Sequence, residues 1–169
     1  LYFIYKIAST INLVNRLKTK YSKYNFVPIF WLASEDHDLE EVNSINLFNR
    51  KVLWDTSQSG AVGRMNLDGI KLVIEQIQNI IGDSPNADEL IEIFRKSYSK
   101  ENSLSDATRI LINELFGTYG LLIIDGDDVL LKQTISDVIE NDINHNKFYN
   151  IIKKSSEKIS VKYHAKAYV

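Results

Sequence analysis

The chain has 169 residues, room for one compact domain or a large piece of a longer protein. Apolar residues make up 44%, enough for a sizeable core, and 20 basic against 22 acidic residues leave a formal charge of -2, which gives no electrostatic reason to expect nucleic acid. There is no cysteine, so neither a disulfide framework nor a thiolate nucleophile is present, and no apolar run approaches the about 20 residues that a membrane helix needs. A cytoplasmic location fits this composition.

The chain opens on Leu1 without an initiator Met or a signal layout, and it stops in an apolar stretch at Ala167-Tyr168-Val169. Both ends are those expected of a longer parent. Residues 2–20 predict a helix, with Ile4, Ile7, Ala8, Ile11, Val14 and Leu17 on one face. Lys18, Lys20 and Lys23 lie about its end, where cations suit the helix dipole. Residues 26–33 are apolar nearly throughout and too short for a typical helix. They predict a strand buried on both faces, as in a parallel sheet, with Pro28 tolerated near its start.

Two short strands, 44–48 and 51–55, flank Asn49-Arg50 as a hairpin. Residues 57–63 form a loop of small side chains, and 67–81 a helix with Ile70, Val73, Ile74, Ile77 and Ile81 as its stripe. Asn86 with Glu89 reads as a capping box for a helix whose face is Ala87, Leu90, Ile91, Phe94 and Tyr98. Ser103 and Asp106 start the next helix, which runs to Phe116 with Gly117 as its C-cap. Residues 121–124 predict a second buried strand, and 129–139 resume helical spacing. A last strand opens at 159–161, with 163–166 as an edge strand. This order predicts an α/β fold on a parallel sheet, with an inserted hairpin and helical subdomain at about 57–103.

Three constellations carry chemistry. In an open parallel sheet, ligands bind beyond the carboxyl ends of the strands. Ser34-Glu35-Asp36-His37-Asp38-Leu39-Glu40-Glu41 follows the first strand and packs five carboxylates and one imidazole into eight residues. An imidazole titrates near neutrality, so His37 is a candidate base for an amine, with Asp36 or Asp38 orienting it. The carboxylates suit a substrate ammonium, or Mg²⁺ beside a phosphate. The plainer alternative is a charged helix start, and for Glu40 and Glu41 a solvated face is the better reading.

Asp125-Gly126-Asp127-Asp128 follows the second strand. A strand ending in Asp-x-Asp fits a haloacid-dehalogenase-type phosphatase, with Asp125 as nucleophile and Asp127 as acid. The alternative is a strand-to-helix turn capped by Asp. In Ser59-Gly60-Ala61-Val62-Gly63-Arg64, Gly60 and Gly63 can bring N–H groups to an anion, and Arg64 can clamp a carboxylate or phosphate. A plain loop with an exposed Arg is the alternative. His145 reads as solvated, and no pair of His residues has zinc-site spacing.

These residues also carry a family resemblance. Residues 26–41, from Phe26 through Ser34-Glu35-Asp36-His37-Asp38 to Glu41, resemble a segment of the bacillithiol-biosynthesis cysteine-adding enzymes. Gly60-Ala61-Val62-Gly63-Arg64-Met65 is similar to their glycine–arginine loop, and residues 115–127, ending in Asp125-Gly126-Asp127, to a third segment. The resemblance implies a Rossmann-type core with connecting-peptide inserts, akin to class I nucleotidyl transferases, and a homodimer built through a coiled-coil arm outside this chain. It implies joining L-cysteine to glucosaminyl malate through an amide bond. The cysteine carboxylate must first be activated, which makes ATP with Mg²⁺ a chemically reasonable co-substrate. The site it implies has His37, Asp36 and Asp38 in catalysis, and Ser34, Glu35, Gly60, Gly63, Arg64, Asp125 and Asp127 in substrate binding. The family's glycine- and glutamine-rich stretch and its arm are not in this sequence, so the chain alone is expected to be inactive. A rival reading from a different class is a non-catalytic module that binds a nucleotide or a thiol metabolite; turnover by the full-length protein separates the two.

Overall fold

In the computed structural model, which describes residues 2–99 and 102–166, the predicted periodicities mostly become the predicted elements. In chain order these are α1 (Tyr2–Lys20), β1 (Ile29–Leu32), β2 (Ser44–Leu47), β3 (Arg50–Leu53), α2 (Ile70–Ile81), α3 (Ala87–Ser97), α4 (Leu104–Phe116), β4 (Leu122–Asp125), α5 (Val129–Gln133), α6 (Ser136–His145) and α7 (Lys147–Tyr163). The chain divides into two units, Leu1–Asp127 and Asp128–Val169.

In the first unit, β1 and β4 pair in parallel, with Ile29 opposite Leu122 and Leu32 opposite Asp125. This is the expected α/β arrangement. The sheet is covered where α1 and α4 meet it. Ile7 and Ile11 from α1 and Ile112 from α4 form a core with Leu121, and Phe30 and Ile123 pack against it. Successive strand residues face opposite ways. The other face therefore presents Ile29, Trp31 and Leu122, and Trp31 is 55% exposed. The expected burial on both faces is corrected here, because within this unit helices cover only one of them.

The β2–β3 hairpin turns at Phe48 and Asn49, both with positive φ, and not at Asn49-Arg50 as expected. The pairing of Ile45 with Val52 extends to a bond from the Trp54 N–H to Asn43 O at 2.7 Å. Trp54 is buried, so its place in the core fixes where the ladder ends and hence where it turns. Val52 packs with Ile74, Ile77 and Ile91 from α2 and α3. The Trp54 indole N–H donates to Asp68 O at 2.8 Å, and α2 starts at Ile70, three residues later than expected.

α3 forms without the expected capping box. Asn86 is left-handed at φ 65, and its side chain makes no cap bond. An N-cap needs an extended backbone to aim its side chain at the helix. Ser103 meets that requirement for α4: it accepts from Asp106 N–H, and the Asp106 carboxylate accepts from Ser103 N–H. Gly117 is right-handed and continues α4 into a 3-10 turn; Gly120, at φ 75, reverses the chain before β4. Gly117 is thus the C-cap of α4 as expected, with its N–H donating to Asn113 O.

The second unit is three helices. The expected helix 129–139 is broken between α5 and α6, and the expected strand 159–161 lies inside α7. Tyr163 ends α7 and residues 164–166 have no regular structure, so no edge strand forms at 163–166. By itself this unit buries none of its described side chains. A strand there would need a partner for its backbone, whereas a helix satisfies its own N–H and C=O groups. Among the described residues, no helix is long and apolar enough to cross a membrane.

The α4 cap yields a test. Ser103→Ala should weaken α4 by about 0.5–2 kcal/mol, read as faster hydrogen exchange of its amides in the full-length protein. The Asp106 carboxyl is held below the usual carboxylate range, first by the Ser103 hydroxyl, with Arg109 adding to it. Its contribution is therefore complete above the unfolded value of about 3.9 and is lost as pH falls through the lower folded value. The difference between wild type and Ser103→Ala should narrow over that acid window.

Candidate functional site

Because β1 and β4 run in parallel and in register, their carboxyl ends lie at one edge of the sheet. Ser34, two residues past β1, is only 3% exposed. Its hydroxyl donates to the Asp125 carboxylate at the end of β4. The Asp127 N–H donates to the same carboxylate oxygen at 2.9 Å and lies 3.3 Å from Ser34 Oγ. The Gly126 N–H donates to Leu32 O at 2.8 Å. The Glu35 carboxylate rests over Gly126, where a Cβ would come within 2.7 Å of Glu35 Cδ. The two strand-end turns are thus one bonded unit, in which Ser34 and Glu35 meet Asp125, Gly126 and Asp127.

The glycine–arginine loop closes on the same edge. Its 3-10 turn, Val62–Arg64, lies against the chain after β1: Val62 N–H donates to Asp36 O at 2.7 Å and Gly63 N–H to Ser34 O at 2.9 Å. A Cβ on Gly63 would lie 2.9 Å from Ser34 Cα. Gly63 thus permits a backbone contact, and its N–H is taken by Ser34 instead of facing an anion. Gly60 is exposed, and nothing packs within 4 Å of where its Cβ would be. Arg64 donates from Nε and Nη2 to the two carboxylate oxygens of Asp127, at 2.5 and 2.9 Å. That contact holds the guanidinium above its usual pKa, through the hydrogen bond first and the charge second.

Asp36 folds over its own turn: its Oδ1 accepts from His37 N–H at 2.6 Å and from Asp38 N–H at 3.3 Å. His37 Nδ1 lies 3.6 Å from that oxygen, and its side chain is 90% exposed. Asp38 precedes a 3-10 turn, Leu39–Glu41, without a side-chain cap bond. Among the described residues no three His, Asp or Glu side chains gather to hold a metal.

The edge therefore combines exposed carboxylates and an open imidazole beside an arginine held in a fixed orientation. An amine suits the first and an anion the second. The Ser34 hydroxyl and the Asp127 N–H both donate to Asp125 Oδ1, so that oxygen ties the two turns together. The sequence did not reveal the close approaches at Gly63 and Gly126, because the groups that crowd them, Ser34 and Glu35, are remote in sequence. Gly63→Ala should destabilise the protein by about 1–3 kcal/mol through overpacking, since backbone must move to admit it. Gly126→Ala should cost less, because only the end of the flexible Glu35 side chain obstructs it. Thermal unfolding of the two variants in the full-length protein checks this order.

The whole chain, residues 1–169, matches the model of a family described as bacillithiol biosynthesis BshC, N-terminal Rossmann-like domain. It is 42% identical over 159 residues to a protein of Flavobacterium johnsoniae, covering 94% of this chain and 30% of that one. It is 44% identical over 160 residues to one from Flavobacterium psychrophilum, covering 95% and 30%. With a protein of Christiangramia forsetii it shares 47% over 137 residues, covering 79% and 26%. All three relatives bear the name "Putative cysteine ligase BshC". The chain spans about 30% of the length of the first two. With the parallel β1–β4 pair in place, the chain belongs to the BshC family of bacillithiol biosynthesis and corresponds to its N-terminal Rossmann-like domain.

Proposed function

We propose that the full-length protein containing this chain is a ligase that joins L-cysteine to glucosaminyl malate through an amide bond, and that the edge formed by β1 and β4 contributes to its active site. The observation that carries this reading is the convergence of Ser34 to Asp38, Arg64 and Asp125 to Asp127 at one sheet edge of a BshC-family chain. Amide formation needs a deprotonated sugar amine and an activated cysteine carboxyl. ATP with Mg²⁺ supplies that activation in this reading. The described side chains do not by themselves make a metal site, so no step here is routed through one.

In this reading the exposed carboxylates of Glu35, Asp36 and Asp38 draw the sugar's ammonium to the edge. His37 takes one proton from that ammonium; the neutral amine then attacks the activated cysteine carbonyl, the activating group departs with the electron pair of its C–O bond, and the nitrogen releases a second proton to water. Asp36, 3.6 Å from Nδ1, stabilises the resulting imidazolium through space. The same reading makes the enzyme a cytoplasmic homodimer joined by a coiled-coil arm outside this chain.

Turnover of cysteine and glucosaminyl malate by the full-length protein tests the function. Loss of a general base typically costs about 10²–10⁴ in rate. His37→Ala should therefore lower kcat by that factor with an unchanged melting temperature, since the side chain is 90% exposed. Normal turnover in that variant would remove His37 from the chemistry.

A further inference from the structure

The contact between Arg64 and Asp127 is side-on. Asp127 takes Nε and Nη2, and among the described residues no protein group takes the other edge of the guanidinium, Nη1 with the second hydrogen of Nη2, which is a two-pronged donor. The two partners differ in exposure. The Arg64 side chain is 71% exposed and that of Asp127 only 13%. The carboxylate is thus the fixed member and the guanidinium the presented one. Asp127 is itself fixed from behind, by its N–H bond to Asp125 and by the Ser34 hydroxyl that donates to Asp125. The sequence therefore builds a chain of bonds, Ser34 to Asp125 to Asp127 to Arg64, that ends in an aimed cation among exposed carboxylates. An arginine fork held on one edge loses less freedom when its other edge engages a planar anion.

We propose that Asp127 is a positioning residue that aims Arg64 as the receptor for a carboxylate that does not react, and that in the ligase reading this is the malyl end of glucosaminyl malate. The inference rests on that reading for the substrate's name and on geometry for the receptor. Two kinds of carboxylate are available in the reaction. The cysteine carboxyl must become an electrophile, and a strong ion pair to its anion would stabilise the ground state that has to be left. The malyl carboxylates keep their charge throughout, so a fixed arginine holds them equally at every stage and acts on affinity. Malyl anion at Arg64 and sugar amine at the acidic turn after β1 would orient the substrate by opposite charges at its two ends.

The test is calorimetric binding of glucosaminyl malate to the full-length protein, with turnover measured beside it. A hydrogen bond to a charged group corresponds to roughly 10–100-fold in affinity. Arg64→Gln should weaken binding by about that range. Asp127→Asn should weaken it less, and Asp127→Glu should recover part of the loss. In the double variant, Asp127→Asn should add nothing to Arg64→Gln, because it acts through the arginine. Arg64→Lys guards against misfolding: it keeps the charge but cannot serve both carboxylates edge by edge, and it should also bind weakly at an unchanged melting temperature. A substrate analogue with both malyl carboxylates replaced by amides should bind wild type weakly and be indifferent to these substitutions. In turnover, KM for the sugar should rise in Asp127→Asn while KM for cysteine stays constant. Unchanged affinity in Arg64→Gln and Arg64→Lys, or additive losses in the double variant, would overturn the proposal. Binding that follows this pattern without turnover by wild type would sink the ligase reading and leave the receptor standing.

Discussion

Ser34 is two residues past β1 and Asp125 ends β4, and the hydroxyl of one donates to the carboxylate of the other across the sheet edge. Much of the edge depends on that bond. A buried hydroxyl without a partner is costly, and a partly buried carboxylate needs donors. Each residue answers the other, and the Asp127 N–H fills a further acceptor position. The bond brings two turns, 91 residues apart in sequence, to one place. Gly63 then lets a third segment close over Ser34, with a backbone approach that no side chain at that position would allow.

The chemistry follows from what this bracket leaves free. Buried and half-buried polar groups, Ser34, Asp125 and Asp127, are engaged with one another, so they set positions. Exposed groups, His37, Glu35, Asp38 and the outer edge of Arg64, face solvent. The division is therefore by burial: the inner residues hold, and in the proposed reading the outer ones meet substrate. It also accounts for the presence of both signs of charge at one edge. The proposed substrate, with an amine and carboxylates in one molecule, is matched by separated acidic and basic groups.

The parts legible in the sequence were those with a strong local signal. The stripes of α1 and α2 and the box of Ser103 with Asp106 appeared where the spacing put them. The two apolar runs after residues 25 and 120 became the parallel pair, which also made the strand-end turns legible as neighbours. The errors came where tertiary context decides. Asn86 has the identity of a cap but a left-handed backbone. Ile159 and Val161 are β-branched, yet they continue α7, where no strand partner is at hand. Gly63 looked like an anion-binding glycine because spacing reports which N–H groups exist and not which are already bonded. Arg64 was legible as a cation; that Asp127 would hold one of its edges was not, since 63 residues separate them.

The account stands most directly on the claim that substrate meets three separate segments at one sheet edge. Hydrogen exchange of the full-length protein with and without glucosaminyl malate measures this in solution. The account predicts that protection rises together in peptides covering 34–38, 61–64 and 125–127, and that the exposed sheet face around Trp31 is unaffected. Protection confined to other parts of the protein, with these three segments unchanged at saturating substrate, would contradict it.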